Sequence, residues 1–203
     1  WEKKYKQYEN ALQPRIISVK TAMNIFPKEL NFDASGSYVM VNKTDQSIDS
    51  IFLNHNAYPS TFAFDQDNTL VSEDTVYNFD IYRLARSLAP GDTLRLNFTM
   101  RNKPNRFLRN NSPVLENGTF INSGIFPSLG YAGGELTDDE VRKKYDLPEN
   151  KLKPHPSDTT ALGNTYIAKD ADWIDFEATV STSEDQIAIA PGYLQKEWTE
   201  NGR

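Results

Sequence analysis

Leu94, Leu96, Phe98 and Met100 alternate with Arg95, Asn97 and Thr99. Successive side chains of a strand point to opposite faces, so this run reads as a strand with one dry and one wet face. The same period of two recurs. Ile17, Val19, Thr21, Met23 and Ile25 alternate with Ser18, Lys20, Ala22 and Asn24, and Pro27 closes the run. Further strands are expected at Ala34 to Asn42, at Ile48 to Asn54, and briefly around Phe62 and Phe64. Tyr77, Phe79 and Ile81 alternate in a fifth, reaching Leu84. Ala89-Pro90-Gly91-Asp92 is a turn, because Pro presets φ and Gly supplies positive φ. Asn117-Gly118 sets a hairpin between Val114-Leu115 and Phe120-Ile121. Late in the chain Ile174, Phe176, Ala178 and Val180 alternate. Ile187 to Ala190 and Tyr193 to Trp198 read as two more strands around Pro191-Gly192.

Two helices interrupt this pattern. Trp1, Tyr5, Tyr8 and Leu12 recur at helical spacing before Pro14, as an amphipathic lead-in that packs on this domain or on a neighbour. Thr137-Asp138-Asp139-Glu140 has the form of a capping box, with Thr137 as N-cap, and Pro148 stops the helix. The expected fold is all-β, an antiparallel two-sheet sandwich with a short internal helix and a short N-terminal helix. Residues 1–14 would be a helical lead-in from an upstream segment, and 15–203 one sandwich domain. Both ends read as cuts in a longer protein.

Composition narrows the function. The 203 residues carry a net charge of −6, whereas a phosphate-binding surface needs a basic patch, so no nucleic-acid partner is expected. There is no Cys, so disulfides, thiolate metal sites and Cys nucleophiles are excluded. The two His, His55 and His155, stand far apart, and no H-E-x-x-H occurs. The longest charge-free stretch, Asn117 to Gly134, is broken by glycines and Pro127 and cannot span a membrane. Asp65-Gln66-Asp67-Asn68-Thr69 opens like a calcium loop, but Leu70 and Val76 stand where Gly and Glu are required. Asp170, Asp172, Asp175 and Glu177 gather four carboxylates, of which Asp175 and Glu177 share a strand face. A glycosidase pair would look like this, and so would an ordinary wet strand face. No catalytic, cofactor-binding or metal residue is assigned, and the residues alone describe a binding or structural module.

Asp170-Ala171-Asp172-Trp173-Ile174-Asp175-Phe176-Glu177, followed by Ile187-Ala188-Ile189-Ala190-Pro191-Gly192-Tyr193-Leu194, resembles the end of the N-terminal β-domain of aminopeptidase N-type zinc metallopeptidases, the gluzincins. Asp33 to Tyr38 and Leu88 to Leu94 look like that family's early strand and its Gly turn. Gly124 to Tyr131 stands where the family has an F-P loop. Trp1 to Tyr5 and the helix from Thr137 to Pro148 are similar to a Bacteroidetes subgroup fused behind an ABC-transporter-type permease. The resemblance implies a saddle-like, non-catalytic N-terminal accessory domain of a membrane-anchored zinc aminopeptidase-like protein, on the periplasmic side of an inner membrane. It implies zinc in the missing catalytic domain and none in this chain. Its partner would be that catalytic domain in the same polypeptide. Membrane contact would come only through the parent's transmembrane part, and the isolated chain would be monomeric. No substrate-binding residue carries over: Gly118 stands where many members have a Gln. The expected docking edge is the apolar loop from Gly124 to Tyr131, carrying Ile125, Phe126, Leu129 and Tyr131, with Phe126 or Tyr131 partly exposed in the isolated chain; the alternative is that Phe126 and Leu129 plug the end of the sandwich. The alternative is a free-standing extracytoplasmic ligand- or carbohydrate-binding sandwich.

Overall fold

A computed structural model describes residues 1–102, 112–131, 134–150, 155, 157–159 and 173–203. Among the described residues nine strands form two sheets. In chain order they are β1 (Arg15–Phe26), β2 (Asn31–Val41), β3 (Ile48–Asn54), β4 (Ser60–Phe64), β5 (Asn68–Asp74), β6 (Phe79–Leu88), β7 (Thr93–Asn102), β8 (Ser128–Leu129) and β9 (Asp175–Ser181). One sheet has the order β4-β7-β2-β1-β9, the other β5-β6-β3-β8. Two short helices are α1 (Glu2–Tyr5) and α2 (Asp139–Lys144).

The expected two-sheet sandwich is there, but one sheet is mixed rather than antiparallel: β9 runs parallel to β1, from Ser18↔Asp175 to Asn24↔Ser181. Every other strand pair is antiparallel. β7 alternates exposed and buried along its whole length, as its sequence dictates. Leu94, Leu96, Phe98 and Met100 enter the main core beside Met23, Phe32, Tyr38, Met40, Ile51 and Leu53. The tightest seat is Gly36, opposite Phe98. A Cβ there would meet the Phe98 ring at 2.4 Å and the Lys20 carbonyl at 2.8 Å, so only glycine fits.

Register departs from simple alternation in β1. The pairing skips Ile17 between Ile16↔Met40 and Ser18↔Val39. This bulge turns Ile16 toward the core with Val19 and Ile25, in place of the expected Ile17.

Four other expectations are corrected. β5 lies where the sequence reading expects no strand, because Asn68-Thr69-Leu70-Val71 shows no alternating period; six of its seven residues are exposed. Val114-Leu115 and Phe120-Ile121 form no hairpin: Val114 is buried alone, and Phe120 is exposed. The N-cap of α2 is Asp138, not Thr137, and its Oδ1 accepts from Val141 N at 3.0 Å. Residues 187–190 and 193–198 are not strands, since among the described residues no strand lies beside them to complete a ladder.

The second sheet is dry on both faces over part of its area. Ile51, Leu53, Tyr82 and Leu84 face the main core. Phe52 and Phe79 face the other way, into a second cluster with Tyr5 and Tyr131, against which Trp1, Tyr8 and Ile81 pack. The N-terminal segment therefore covers the outer face of this sheet. Pro14, which follows it, is fully buried, and the Gln13 side chain closes the free edge of β3. Gln13 Nε2 donates to Ser50 O at 2.9 Å, and its Oε1 accepts from Phe52 N at 2.8 Å.

Candidate functional site

The polar groups come first, because chemistry would need them. His55 follows β3, and its Nε2 lies 3.3 Å from Asp80 Oδ2 on β6. Its Nδ1 lies 2.9 Å from Asn56 O, and its ring packs on Phe62 with centroids 5.2 Å apart. Tyr82 OH donates to the same Asp80 oxygen at 3.4 Å. Burial, with Asp80 beside it, pushes the Tyr82 hydroxyl up to about 12. Among the described residues no Ser, Thr or Lys nucleophile is bonded to this trio, which ties β3 to β6. His155 is exposed and bonded to its neighbour Ser157 at 2.7 Å.

Asp65, from the calcium-like loop, caps a strand turn instead: its Oδ1 accepts from Arg95 N at 3.0 Å. Of the four clustered carboxylates, Asp170 and Asp172 lie outside the described residues. Asp175 and Glu177 sit two residues apart on β9, and Glu177 pairs with Lys20 at 2.8 Å. Among the described residues no three His, Asp or Glu come together as a metal set. The zinc that the resemblance implies for a catalytic domain has no ligand set in them.

The apolar loop leaves part of Phe126 in solvent and buries its other large side chains. Ile125 and Leu129 are buried in the main core, and Tyr131 is buried in the outer cluster. Phe126 is half-buried, 6.0 Å from the Phe98 ring. The loop ties itself down through Asn56, whose Nδ2 donates to Gly124 O and Ile125 O, and through Tyr38 OH, which donates to Pro127 O at 3.0 Å. It stoppers the open end of the sandwich, because an unplugged gap between two sheets would leave both inner faces wet.

Tyr131 is held from the other side by the N-terminal segment. Its ring stacks on Trp1 at 5.9 Å, and burial together with Glu135 pushes its hydroxyl up to about 12. Gly134 passes so close that a Cβ would stand 2.7 Å from the Trp1 ring, with φ at +82° besides. Two ionic clamps surround this cage. Arg142 on α2 grips Glu2 on α1 with two bonds of 2.7 and 2.9 Å, both side chains buried, and donates also to Leu136 O and Pro148 O. The Arg142 bond holds the Glu2 carboxyl below the usual carboxylate range. Asp74 takes Lys4 Nζ and Tyr5 OH on one oxygen, and Val76 N and Tyr77 N on the other. The Lys4 bond first, then the Tyr5 bond, hold its carboxyl far below the carboxylate range. Sequence reading found Trp1, Tyr5 and Tyr8 but neither clamp. Glu2 and Arg142 lie 140 positions apart, and no local spacing announces such a pair.

What stays open is the C-terminal run. Ile187, Ile189, Tyr193 and Leu194 are 87%, 89%, 93% and 80% exposed. Both ends of the run are anchored to the body. Gln186 Nε2 donates to Glu116 O at 2.7 Å. Arg203 donates to Ser181 Oγ and Ile25 O at 3.0 and 2.8 Å, its guanidinium over the Phe26 ring. Between these anchors an apolar arm turns at Gly192, φ +100°, with its large side chains in solvent.

No protein-family model matches the chain, and no curated protein matches it. Among solved structures it is similar to an M1 zinc metallopeptidase from Deinococcus radiodurans. A mutant of that protein bound to a Tyr-Ser-Ala substrate matches at 15% identity and a TM-score of 0.38, over 48% of this chain and 22% of that chain. The structure described simply as the M1 zinc metallopeptidase matches at 16% identity and a TM-score of 0.36, over 45% and 21%. A two-domain mutant bound to L-arginine matches at 16% identity and 0.37, over 46% and 22%. The chain thus spans about a fifth of the length of these structures.

Proposed function

We propose that this chain is a non-catalytic accessory domain of a membrane-anchored zinc aminopeptidase-like protein, which docks on the catalytic domain and shields one side of it. The observation that carries the reading is the arm from Ile187 to Leu194, which holds four large apolar side chains, each at least 80% exposed, in one short run. Clustered exposed apolar groups mark a surface with a partner. This run is also where the resemblance to the aminopeptidase N-type family is most specific, in Ala190-Pro191-Gly192-Tyr193-Leu194. The loop from Gly124 to Tyr131 has less to offer a partner, because only Phe126 keeps part of its ring in solvent. Docking then rests on the arm, with Phe126 at the margin. Similarity of Trp1 to Tyr5 and of the α2 segment to the permease-fused subgroup supports the membrane anchor and the extracytoplasmic side.

The test is hydrogen exchange on this chain alone and on a longer chain that carries the downstream domain. Backbone amides of residues 187 to 198 should exchange fast in the first and gain protection in the second. Equal exchange in both would overturn docking through the arm. Neither the arm nor the His55 cluster supplies a water-activating metal site. The chain alone should therefore leave aminoacyl-anilides intact with added zinc, and turnover abolished by a chelator would refute its non-catalytic role.

A further inference from the structure

The two sheets end in four strand edges, and three are blunted. β8 is two residues long, and Gln13 occupies the rest of that side of β3. β5 breaks register at Val71, between Leu70↔Tyr82 and Ser72↔Ile81. β4 has five residues. Short edges, bulges, prolines and lysines are how proteins keep a free row of N–H and C=O groups from pairing with another chain. β9 has none of these. It runs seven residues in unbroken register on β1, carries no Pro, Gly or Lys, and among the described residues no strand lies on its outer side.

Its sequence also suits one particular neighbour. Laid antiparallel on itself about Ala178, the strand Asp175-Phe176-Glu177-Ala178-Thr179-Val180-Ser181 sets Phe176 against Val180 and Glu177 against Thr179 of the second copy. Asp175 falls opposite Ser181, where Arg203 is already bonded to the Ser181 hydroxyl and carbonyl, so an acid meets a guanidinium. No carboxylate faces a carboxylate, and the apolar pair lies on the core side, where Phe176 is now 43% exposed. Slipping the pairing by two residues toward the N-terminus would set Glu177 against Glu177 of the second copy, so charge selects the register. A two-fold axis through an antiparallel pair is permitted at either kind of residue pair, and the contact it makes is self-complementary and closed.

We propose that β9 is the contact edge of a two-fold dimer, in which β9 of one copy pairs antiparallel with β9 of a second about Ala178, joining two five-stranded sheets into one. This contact is separate from the C-terminal arm and stands whether or not the arm docks on a downstream domain.

The probe is sedimentation velocity on this chain over a concentration series, with two variants at Thr179, which is exposed and pairs with Ala22 on the outer face of the sheet. Thr179→Glu puts two acids opposite each other at both symmetric positions and should weaken dimerisation about tenfold. Thr179→Lys puts Lys opposite Glu177 of the second copy and should strengthen it by a similar factor. Unchanged thermal midpoints would show that both variants fold. A wild-type chain that stays monomeric at every concentration overturns the proposal. So does a dimer that both variants shift equally or leave alone. A dimer insensitive to Thr179 but lost in Leu194→Ser would place the contact on the arm and overturn it too.

Discussion

The two ends of this chain have similar compositions and opposite fates. Trp1, Tyr5 and Tyr8 at one end, and Tyr193, Leu194 and Trp198 at the other, are aromatic or apolar groups set among Lys, Glu and Gln. The first three lie against Phe52, Phe79 and Tyr131, with ring centroids between 4.4 and 6.3 Å. The last three stand in solvent. The difference is the surface on offer. The outer face of the second sheet carries Phe52, Phe79 and Ile81, so the N-terminal segment finds apolar area to cover. The five-stranded sheet carries Ser, Thr, Asn and charged groups on its outer face, with Arg101 on Asp33 at 2.7 Å and Lys20 on Glu177. A segment rich in Ile and Tyr gains nothing by lying on it. Amphipathic sequence states that a segment needs a partner surface, and only the fold states whether the chain supplies one.

The contrast breaks first at Phe79, which is fully buried beneath Trp1, Tyr5 and Tyr8. Phe79→Ala should cost about 3–5 kcal/mol in a urea titration. It should also release the N-terminal segment, read as faster exchange at residues 1 to 8. A smaller loss with unchanged exchange would show that the segment is held by its ionic clamps alone. Next is Gly134→Ala, where both the close Trp1 ring and the positive φ oppose a Cβ. About 1–3 kcal/mol is expected, with a red shift of tryptophan emission as Trp1 is pushed toward water. An emission spectrum identical to wild type would mean that the cage yields elsewhere.

Acid tests the clamps. The Asp74 carboxyl titrates far below its ordinary value of 3.8 when folded, so below about pH 4 the unfolded chain takes up a proton that the folded chain refuses. The stability this group contributes is present above that pH and is lost as pH falls further. Glu2 acts in the same direction through Arg142. The thermal midpoint should fall between pH 4 and pH 2, and Asp74→Asn should flatten that fall while lowering the midpoint at neutral pH. Equal slopes for the two proteins would remove Asp74 from the account. The smallest effect belongs to the other end. Ile189→Ser and Leu194→Ser should change the stability of this chain by no more than about 0.5 kcal/mol, since nothing in it touches them closely enough to bury them. A larger loss would mean that the arm folds back on the body in solution.

Several parts of this architecture were legible residue by residue. β7 follows from the alternation of Leu94 to Met100 alone, and β3 was bounded correctly at Ile48 and Asn54, because a half-dry strand writes its period into its side chains. β5 was not legible, since an edge strand wet on both faces needs no apolar residue to exist; its ladder to β6 makes it a strand. Ile187 to Ala190 fails in the opposite sense. Its alternation is that of a strand, and no ladder among the described residues completes it. The apolar loop was recognised as a unit, but whether it plugs the sandwich or faces a partner depends on the gap between sheets built from residues up to 100 positions away.

Read alone, the sequence specifies the class of fold, the dry face of β7, and the lack of Cys and of H-E-x-x-H in this chain. Those are properties of local periodicity and composition, which act over two to four residues. Only the tertiary structure decided that β9 joins β1 in parallel, that Glu2 meets Arg142, that Asp74 gathers four donors, and which of two apolar ends is covered. These depend on where distant segments come to rest, and burial and ion pairing are set by the nearest neighbour in space rather than in the chain.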